Sequence, residues 1–333
     1  MGSYVSLSGP LIWFGFLQAV IYLLFIRAID LYEREPLRYV IPVFVWGFAV
    51  ATTVSLIFNT LFQLTLTSVT SVKTASFFTA VVEAPVVEEC TKGLALVLIF
   101  FVAYLARRRS GLVEFSGVMD GIVYGSAVGF GFAIAEDLIY GLRYGAETFI
   151  VRRIFGGFAH ASFTSLTGIG MGLIPWVQSR ALKVVLPLLG LLGAILMHAT
   201  FNFTATVFGP VGYFVLFCVI LLYIVIIIVW LAIERRAIRG ELRDEVKAGT
   251  ITSQEYAMLP SYLRTTGYYL GLIFRGELGK WFRARKLNAT AVDLALAKRL
   301  ARRSGSPGSM DRVRMLRQKI LDMREGATVR AAS

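Results

Sequence analysis

The sequence predicts an all-α fold, a polytopic membrane helix bundle of about seven spans followed by a basic helical cytoplasmic tail. Three observations carry this. First, 56% of the 333 residues are hydrophobic and only 17% are charged, whereas a soluble domain is about 45–50% apolar; the mean hydropathy is +0.69. Second, the apolar residues lie in unbroken runs of roughly 20, the length at which a helix crosses the hydrocarbon of a bilayer. Third, the period-two alternation that transmembrane strands require is absent.

The runs fall at 8–27, 39–64, 76–105, 117–140, 154–176, 183–206 and 210–233, with short polar or Gly/Pro-containing loops between them. The third is long enough to tilt, or to begin with a separate half-helix before Pro85. Residues 1–233 are therefore expected to form a transmembrane domain. The N-terminal run has no basic leader and no small-residue cleavage site, so it reads as a retained span. Residues 234–333 are expected to form a helical tail. Within it, Ala291–Arg303 and Met310–Arg324 are amphipathic and basic, with Ser304-Gly305-Ser306-Pro307-Gly308 as a hinge.

Basic residues orient the chain. Arg27–Arg38, Arg107–Arg109 and Arg180–Lys183 supply basic loops on one side, and the tail lies on that side too. After Ile233 there are 21 Lys/Arg against 10 Asp/Glu, which accounts for +11 of the formal +13 charge. The N-terminus is expected outside and the C-terminus in the cytoplasm, in the cell membrane. Arg143, Arg152 and Arg153 dissent. The charge of the tail reads as a solvated cytoplasmic face, since no nucleic-acid-binding motif accompanies it. Cys90 and Cys218 both lie in apolar runs and form neither a disulfide framework nor a metal-type spacing.

A charge inside a bilayer is costly, so each intramembrane ionisable group is a functional candidate. Here they cluster. The third run holds Glu83, Glu88, Glu89 and Lys92; the fourth holds Asp120 and Glu136-Asp137; the fifth and sixth hold His160 and His198, the only two histidines in the chain. Measured from the outer ends of their helices at ~1.5 Å per residue, Glu88, Glu89, Glu136, His160 and His198 fall within a band of ~10 Å in the outer half of the bilayer. Four antiparallel helices presenting these groups at one depth can form one cavity. Glu88 and Lys92 are four apart and Glu89 and Lys92 three apart, so one carboxylate can pair with the ammonium while the other faces the cavity; Glu89 is the one expected to face it. His198 and Asn202 share a face, as do Phe132 and Glu136. Gly125, Gly129 and Gly131, with Gly168, Gly170 and Gly172, read as packing positions.

Two hydrolytic mechanisms suit these groups. His160, His198 and a carboxylate can bind zinc with a second glutamate as general base. Alternatively, a buried glutamate activates water with no metal, while a histidine and Asn202 stabilise the oxyanion. HExxH and GxSxG motifs are both absent. A transporter or proton relay would also place Glu and His inside a membrane, and interhelical hydrogen bonding alone would require no activity.

Four segments narrow the choice: VVEAPVVEECTKGLAL, with EExxK at Glu88, Glu89 and Lys92; GFGFAIAEDLIY, with FxxxE at Phe132 and Glu136; FAHASFTSLTGIGMG, with His160; and MHATFNF, with HxxxN at His198 and Asn202. With DLYEREP at Asp30–Pro36, they resemble the PrsW family of bacterial intramembrane proteases, distant relatives of the CAAX prenyl proteases and the ABI family. The resemblance covers roughly residues 25–233. It implies endoproteolysis of membrane-anchored proteins, such as an anti-sigma factor in envelope stress signalling. It further implies that Glu88 and Glu89 supply the base with Lys92 paired to the neighbouring carboxylate. Glu136, His160 and His198 would bind zinc or polarise the carbonyl, and Asn202 would be the oxyanion donor. Asp137 departs from the Asn expected after the FxxxE glutamate. The tail lies outside the resemblance.

Overall fold

A computed structural model describes residues 2–32, 34–110, 115, 117–259, 261–304 and 307–332. Among these residues the fold is all helical, with no strand. Seven long helical stretches come first: α1 (Gly2–Ile29); α2 (Leu37–Val45), leading through a π turn into α3 (Thr52–Thr67); α4 (Val72–Phe78), leading through a second π turn into α5 (Ala84–Ser110); α6 (Val118–Tyr144); α7 (Ala146–Gly172); α8 (Arg180–Phe208); and α9 (Pro210–Lys247). Four further helices follow: α10 (Ser253–Met258), α11 (Tyr262–Phe274), α12 (Leu278–Ser304) and α13 (Pro307–Ala332). Of the predicted hinge, Gly305 and Ser306 lie outside the described residues.

By length and composition, five stretches can cross a membrane: Gly9–Ile29, Leu37–Thr67, Val118–Tyr144, Arg180–Phe208 and Pro210–Lys247. The chain is thus an all-α polytopic bundle. The two other predicted spans coincide with α5 and α7, which carry Glu88, Glu89 and Lys92, and Arg152 and His160, respectively.

The helices divide into two compact units, one of Met1–Asp30 with Glu35–Ile228 and one of Leu31–Arg34 with Val229–Ser333. In the first unit α6 is the central helix, buried at every position from Val118 to Ala135. Glycine makes this possible, because in lipid two backbones approach only where side chains are small. A β-carbon at Gly121 would stand 2.0 Å from the Gly168 carbonyl oxygen, and one at Gly131 equally close to that of Phe44. Asp120 has a structural role at the start of this helix, where as the third residue its Oδ2 accepts the N–H of the capping residue Gly117 at 2.9 Å, as the N3 carboxylate of a capping box does.

Within the Asp30–Pro36 stretch, Asp30 and Glu35 are buried and hydrogen-bonded. Asp30 Oδ2 accepts the Glu35 N–H at 2.6 Å, Arg27 donates to the Glu35 carbonyl at 2.7 Å, and the Tyr124 hydroxyl of α6 donates to the Glu35 carboxylate. These bonds satisfy groups that would otherwise be costly to bury.

The second unit has its own core. Ile238, Leu242, Ile251, Leu294, Leu316 and Ile320 are among its buried members, and Tyr32 packs against it. Glu245 is buried within this unit and accepts from Lys298 and Arg317, both at 2.7 Å.

Candidate active site

α5, α6, α7 and α8 each bring ionisable groups to one buried cluster. At its centre is Lys92, fully enclosed. Its ammonium donates to Glu89 Oε1 at 2.9 Å, to His160 Nδ1 at 3.0 Å and to Glu88 Oε2 at 3.4 Å. Three donors thus meet three acceptors. The ring of Phe132 lies beneath the ammonium, its centroid 3.7 Å away, a favourable position for a cation. The FxxxE spacing now has a physical account: Phe132 covers Lys92, and Glu136 one turn on meets His160.

The bonding pattern determines which nitrogen each histidine presents. His160 Nδ1 accepts from Lys92, so Nε2 carries the proton and donates to Glu136 Oε2 at 2.7 Å. His198 does the reverse. Its Nδ1–H donates to Glu89 Oε1 at 3.1 Å, leaving the Nε2 lone pair 3.9 Å from Glu88 Oε2. Phe163 stacks on the His198 ring with centroids 4.9 Å apart and fixes its plane.

The two adjacent glutamates differ, in the opposite sense to the sequence expectation. Glu89 is fully buried. Its Oε1 accepts from Lys92 and His198, and its Oε2 accepts from the Thr164 hydroxyl at 2.9 Å. Among the described residues, Glu88 has the longer Lys92 contact and faces His198 Nε2. The reason is angular: adjacent helical positions point about 100° apart, and it is Glu89 that reaches the Thr164 hydroxyl of α7.

Ligand atoms of Glu88, His160 and His198 lie within 4.8 Å of one another. Two imidazoles and one carboxylate form a donor set that zinc hydrolases use, and Glu89 behind His198 is the outer carboxylate such ligands commonly have. The donor types fit a zinc ion, and ligation through His160 would require Lys92 to release its Nδ1. The ligand set implied by the resemblance named Glu136 as the carboxylate. Glu136 instead lies outside that triplet, drawn to Arg152, whose guanidinium donates to Glu136 Oε2 at 2.7 Å and reaches Asp137 Oδ1 at 3.3 Å. Arg152 also lies over the Tyr140 ring at 4.1 Å. The additional carboxylate of Asp137 is matched by the same cation.

Asn202 lies apart from this network. Its amide donates to the Ala80 carbonyl at 2.8 Å. The π turn Thr79–Glu83 bonds five residues back, with Ala84 N–H on the Thr79 carbonyl. The next donor in that register would be Pro85, which has no N–H, so Asn202 supplies the bond Ala80 lacks.

Sequence reasoning missed Thr164, Phe163 and Arg152 as parts of the site. Thr164 is one helical turn from His160, a spacing that places both on one face. Arg152 was read only as a topology charge.

A fully helical membrane bundle with a buried glutamate–histidine–lysine centre defines a class, that of polytopic membrane proteins with an intramembrane polar site. The profile of the PrsW family intramembrane metalloprotease matches residues 35–232, and the chain belongs to that family. It is similar to Protease PrsW of Bacillus subtilis (strain 168), 27% identical over 187 residues, covering 56% of this chain and 78% of the relative. Protease PrsW of Geobacillus kaustophilus (strain HTA426) is 31% identical over 143 residues, covering 43% of this chain and 57% of that protein. The Shouchella clausii (strain KSM-K16) protein of the same name is 31% identical over 118 residues, covering 35% of this chain and 51% of its own length. The chain therefore spans between about half and three quarters of these relatives' lengths. No solved structure matches it.

Proposed function

We propose that this chain is an intramembrane endopeptidase of the cell membrane that cleaves membrane-anchored protein substrates, with its N-terminus outside and its tail in the cytoplasm. The observation that carries this reading is the convergence of Glu88, His160 and His198 to within 4.8 Å on three different helices, in a family of intramembrane metalloproteases. An anti-sigma factor is a substrate of the expected kind, a single-span protein whose cleavage relays an envelope signal.

Glu88 is the carboxylate placed to take a proton from water, because Glu89 is fully engaged by Lys92, His198 and Thr164. Lys92 keeps the two adjacent carboxylates in register. Glu89 holds His198 in the tautomer that offers Nε2. His160 donates through Nε2 to Glu136 and can shift that N–H toward a developing oxyanion. Should zinc be bound, Glu88, His160 and His198 would hold it. The metal would polarise the scissile carbonyl and acidify a bound water. The general base would then be Glu136.

A tagged single-span reporter in membranes tests this. Glu88→Gln, His160→Ala and His198→Ala are each expected to abolish cleavage at unchanged protein level; full activity in all three would sink the assignment. Metal analysis of the purified protein separates the routes. Zinc bound to the wild type and lost in His198→Ala supports the metal site, while cleavage that survives complete stripping supports the glutamate-only route. Ion-dependent flux in liposomes without cleavage would identify a transporter.

A further inference from the structure

The tail has a second feature besides its core. Its buried residues come from α9, Ile251 and Leu259 on either side of α10, α13 and the part of α12 from Ala291 onward. α11 and the first half of α12 contribute none of that cluster, yet they are rich in large apolar side chains. Phe274 is 85% exposed, Phe282 64% and Leu278 53%, with Leu270 and Ile273 exposed beside them. From residue 234 on, the other large apolar residues exposed among the described residues are Tyr268, which is in α11, and Met310, Met315 and Leu321, all in α13.

The two helices form a defined hairpin. Gly276 takes φ +70°. The Glu277 N–H donates to the Leu272 carbonyl and the Gly276 N–H to that of Ile273, both at 2.9 Å. This is the paired bonding that ends a helix at a left-handed glycine. Tyr269 and Asn288 join the two helices, the Asn288 amide donating to the Tyr269 hydroxyl at 2.5 Å. Leu272 is buried. Leu270, Ile273 and Phe274 are spaced by three and four and lie on the side of α11 away from Leu272. Leu278, Phe282 and Arg285 share one face of α12 in the same way.

The charge on this hairpin is one-sided. Between residues 262 and 286 the basic residues are Arg264, Arg275, Lys280, Arg283, Arg285 and Lys286, and the acidic residue is Glu277. Arg285 lies over the ring of half-buried Trp281 at 4.7 Å. Apolar and aromatic side chains bordered by Lys and Arg suit a bilayer interface, where rings enter the headgroup boundary and cations stay at the phosphates. A protein surface complementary to this one would have to be both apolar and strongly acidic. α9 runs without a break from its apolar stretch into the tail unit.

We propose that the α11–α12 hairpin is a membrane-interface foot that seats on anionic headgroups of the bilayer that α9 has crossed. Phe274, Leu278 and Phe282 enter the boundary, and Lys280, Arg283 and Lys286 meet phosphate. This proposal is independent of the proteolytic reading.

Full-length protein with Cys90→Ala and Cys218→Ala, carrying a nitroxide at Phe282→Cys or at Met315→Cys, tests it in vesicles of phosphatidylcholine with phosphatidylglycerol. The label at 282 is expected to show several-fold greater collision with oxygen relative to an aqueous nickel complex than the label at 315. Lys280→Glu with Arg283→Glu is expected to bring the 282 label back toward water, while the 315 label, reporting on an intact tail, stays unchanged. Equal water exposure at 282 and 315 would overturn the proposal. So would shielding at 282 that rises with protein-to-lipid ratio and ignores phosphatidylglycerol, which would assign the face to a second copy of the chain.

Discussion

The His198 Nδ1–H donates to Glu89 Oε1 at 3.1 Å, and this bond decides that Nε2 is the nitrogen presented to Glu88. A carboxylate behind an imidazole fixes both tautomer and ring orientation. Glu89 is therefore best understood as a positioning residue, one that acts through His198 and Lys92.

If Glu89 positions, then Thr164 positions Glu89. Its hydroxyl is the donor to Glu89 Oε2, at 2.9 Å. Thr164→Val preserves shape and removes the donor, leaving a buried carboxylate oxygen unsatisfied at a cost of about 1–3 kcal/mol. Reporter cleavage is expected to fall by roughly 10–100-fold, the usual consequence of losing an outer partner. Thr164→Ser is expected to restore most of it. Unaltered cleavage in the valine variant would remove Thr164 from the site.

Lys92 neutralises two buried neighbours. Lys92→Met leaves Glu88 and Glu89 without their shared cation, and breaking a buried pair in this way costs about 3–5 kcal/mol. A lower unfolding temperature in detergent is expected. Adding Glu89→Gln to Lys92→Met should recover part of the loss, because one uncompensated charge is gone. Strict additivity of the two changes would show that they do not share a network.

Gly129 is where α6 meets the backbone of His160. A β-carbon there would stand 2.4 Å from the His160 carbonyl oxygen, whereas one at Gly93 would stand 3.6 Å from the Thr167 methyl. Gly129→Ala must push α6 from α7 and carry Glu136 away from His160, so cleavage is expected to collapse. Gly93→Ala meets ordinary van der Waals contact and is expected to retain activity. Comparable activity in both variants would contradict the close packing of these helices.

Asp293 lies on α12 in the tail, where burial pushes its carboxyl up from 3.8 despite the cations Arg312 and Lys319. A carboxyl raised on folding binds its proton more tightly in the folded unit. Its contribution is therefore most favourable below pH 3.8 and is lost as pH rises through the folded value. At neutral pH, Asp293→Asn is expected to slow amide hydrogen exchange in α12 and α13, and the gain should vanish in acid. Faster exchange at neutral pH would show that the carboxylate is favourable where it stands.

Much of the fold was legible because the bilayer restricts it so strongly. Unbroken apolar runs near the hydrocarbon thickness can only be helices when strand alternation is absent, and the predicted runs coincide with α1 to α9. The candidate site was legible for a related reason. Glu88, Glu89, Lys92, Glu136, His160 and His198 stand out where charge is expensive, and the depth estimate placed the carboxylates and histidines in one band. Asn202 was legible as a residue of interest, but its hydrogen bond to Ala80 was not. Its partner is a carbonyl left without a donor by Pro85, a consequence of the π turn that no side-chain pattern reveals. Thr164 was hidden because a threonine on a membrane helix carries no charge to mark it.

Residue types and run lengths thus sufficed to establish a helical membrane bundle and its polar cluster, because each reflects a solvation cost that any fold of this chain must meet, whereas the family was indicated by the resemblance of four short motifs. Which of Glu88 and Glu89 is engaged, which nitrogen each histidine presents, and whether Glu136 or Glu88 joins the two imidazoles were decided by packing. Those choices turn on contacts of about 3 Å between α5, α6, α7 and α8, and side chains brought together from distant parts of the chain acquire such contacts only once the helices are in place.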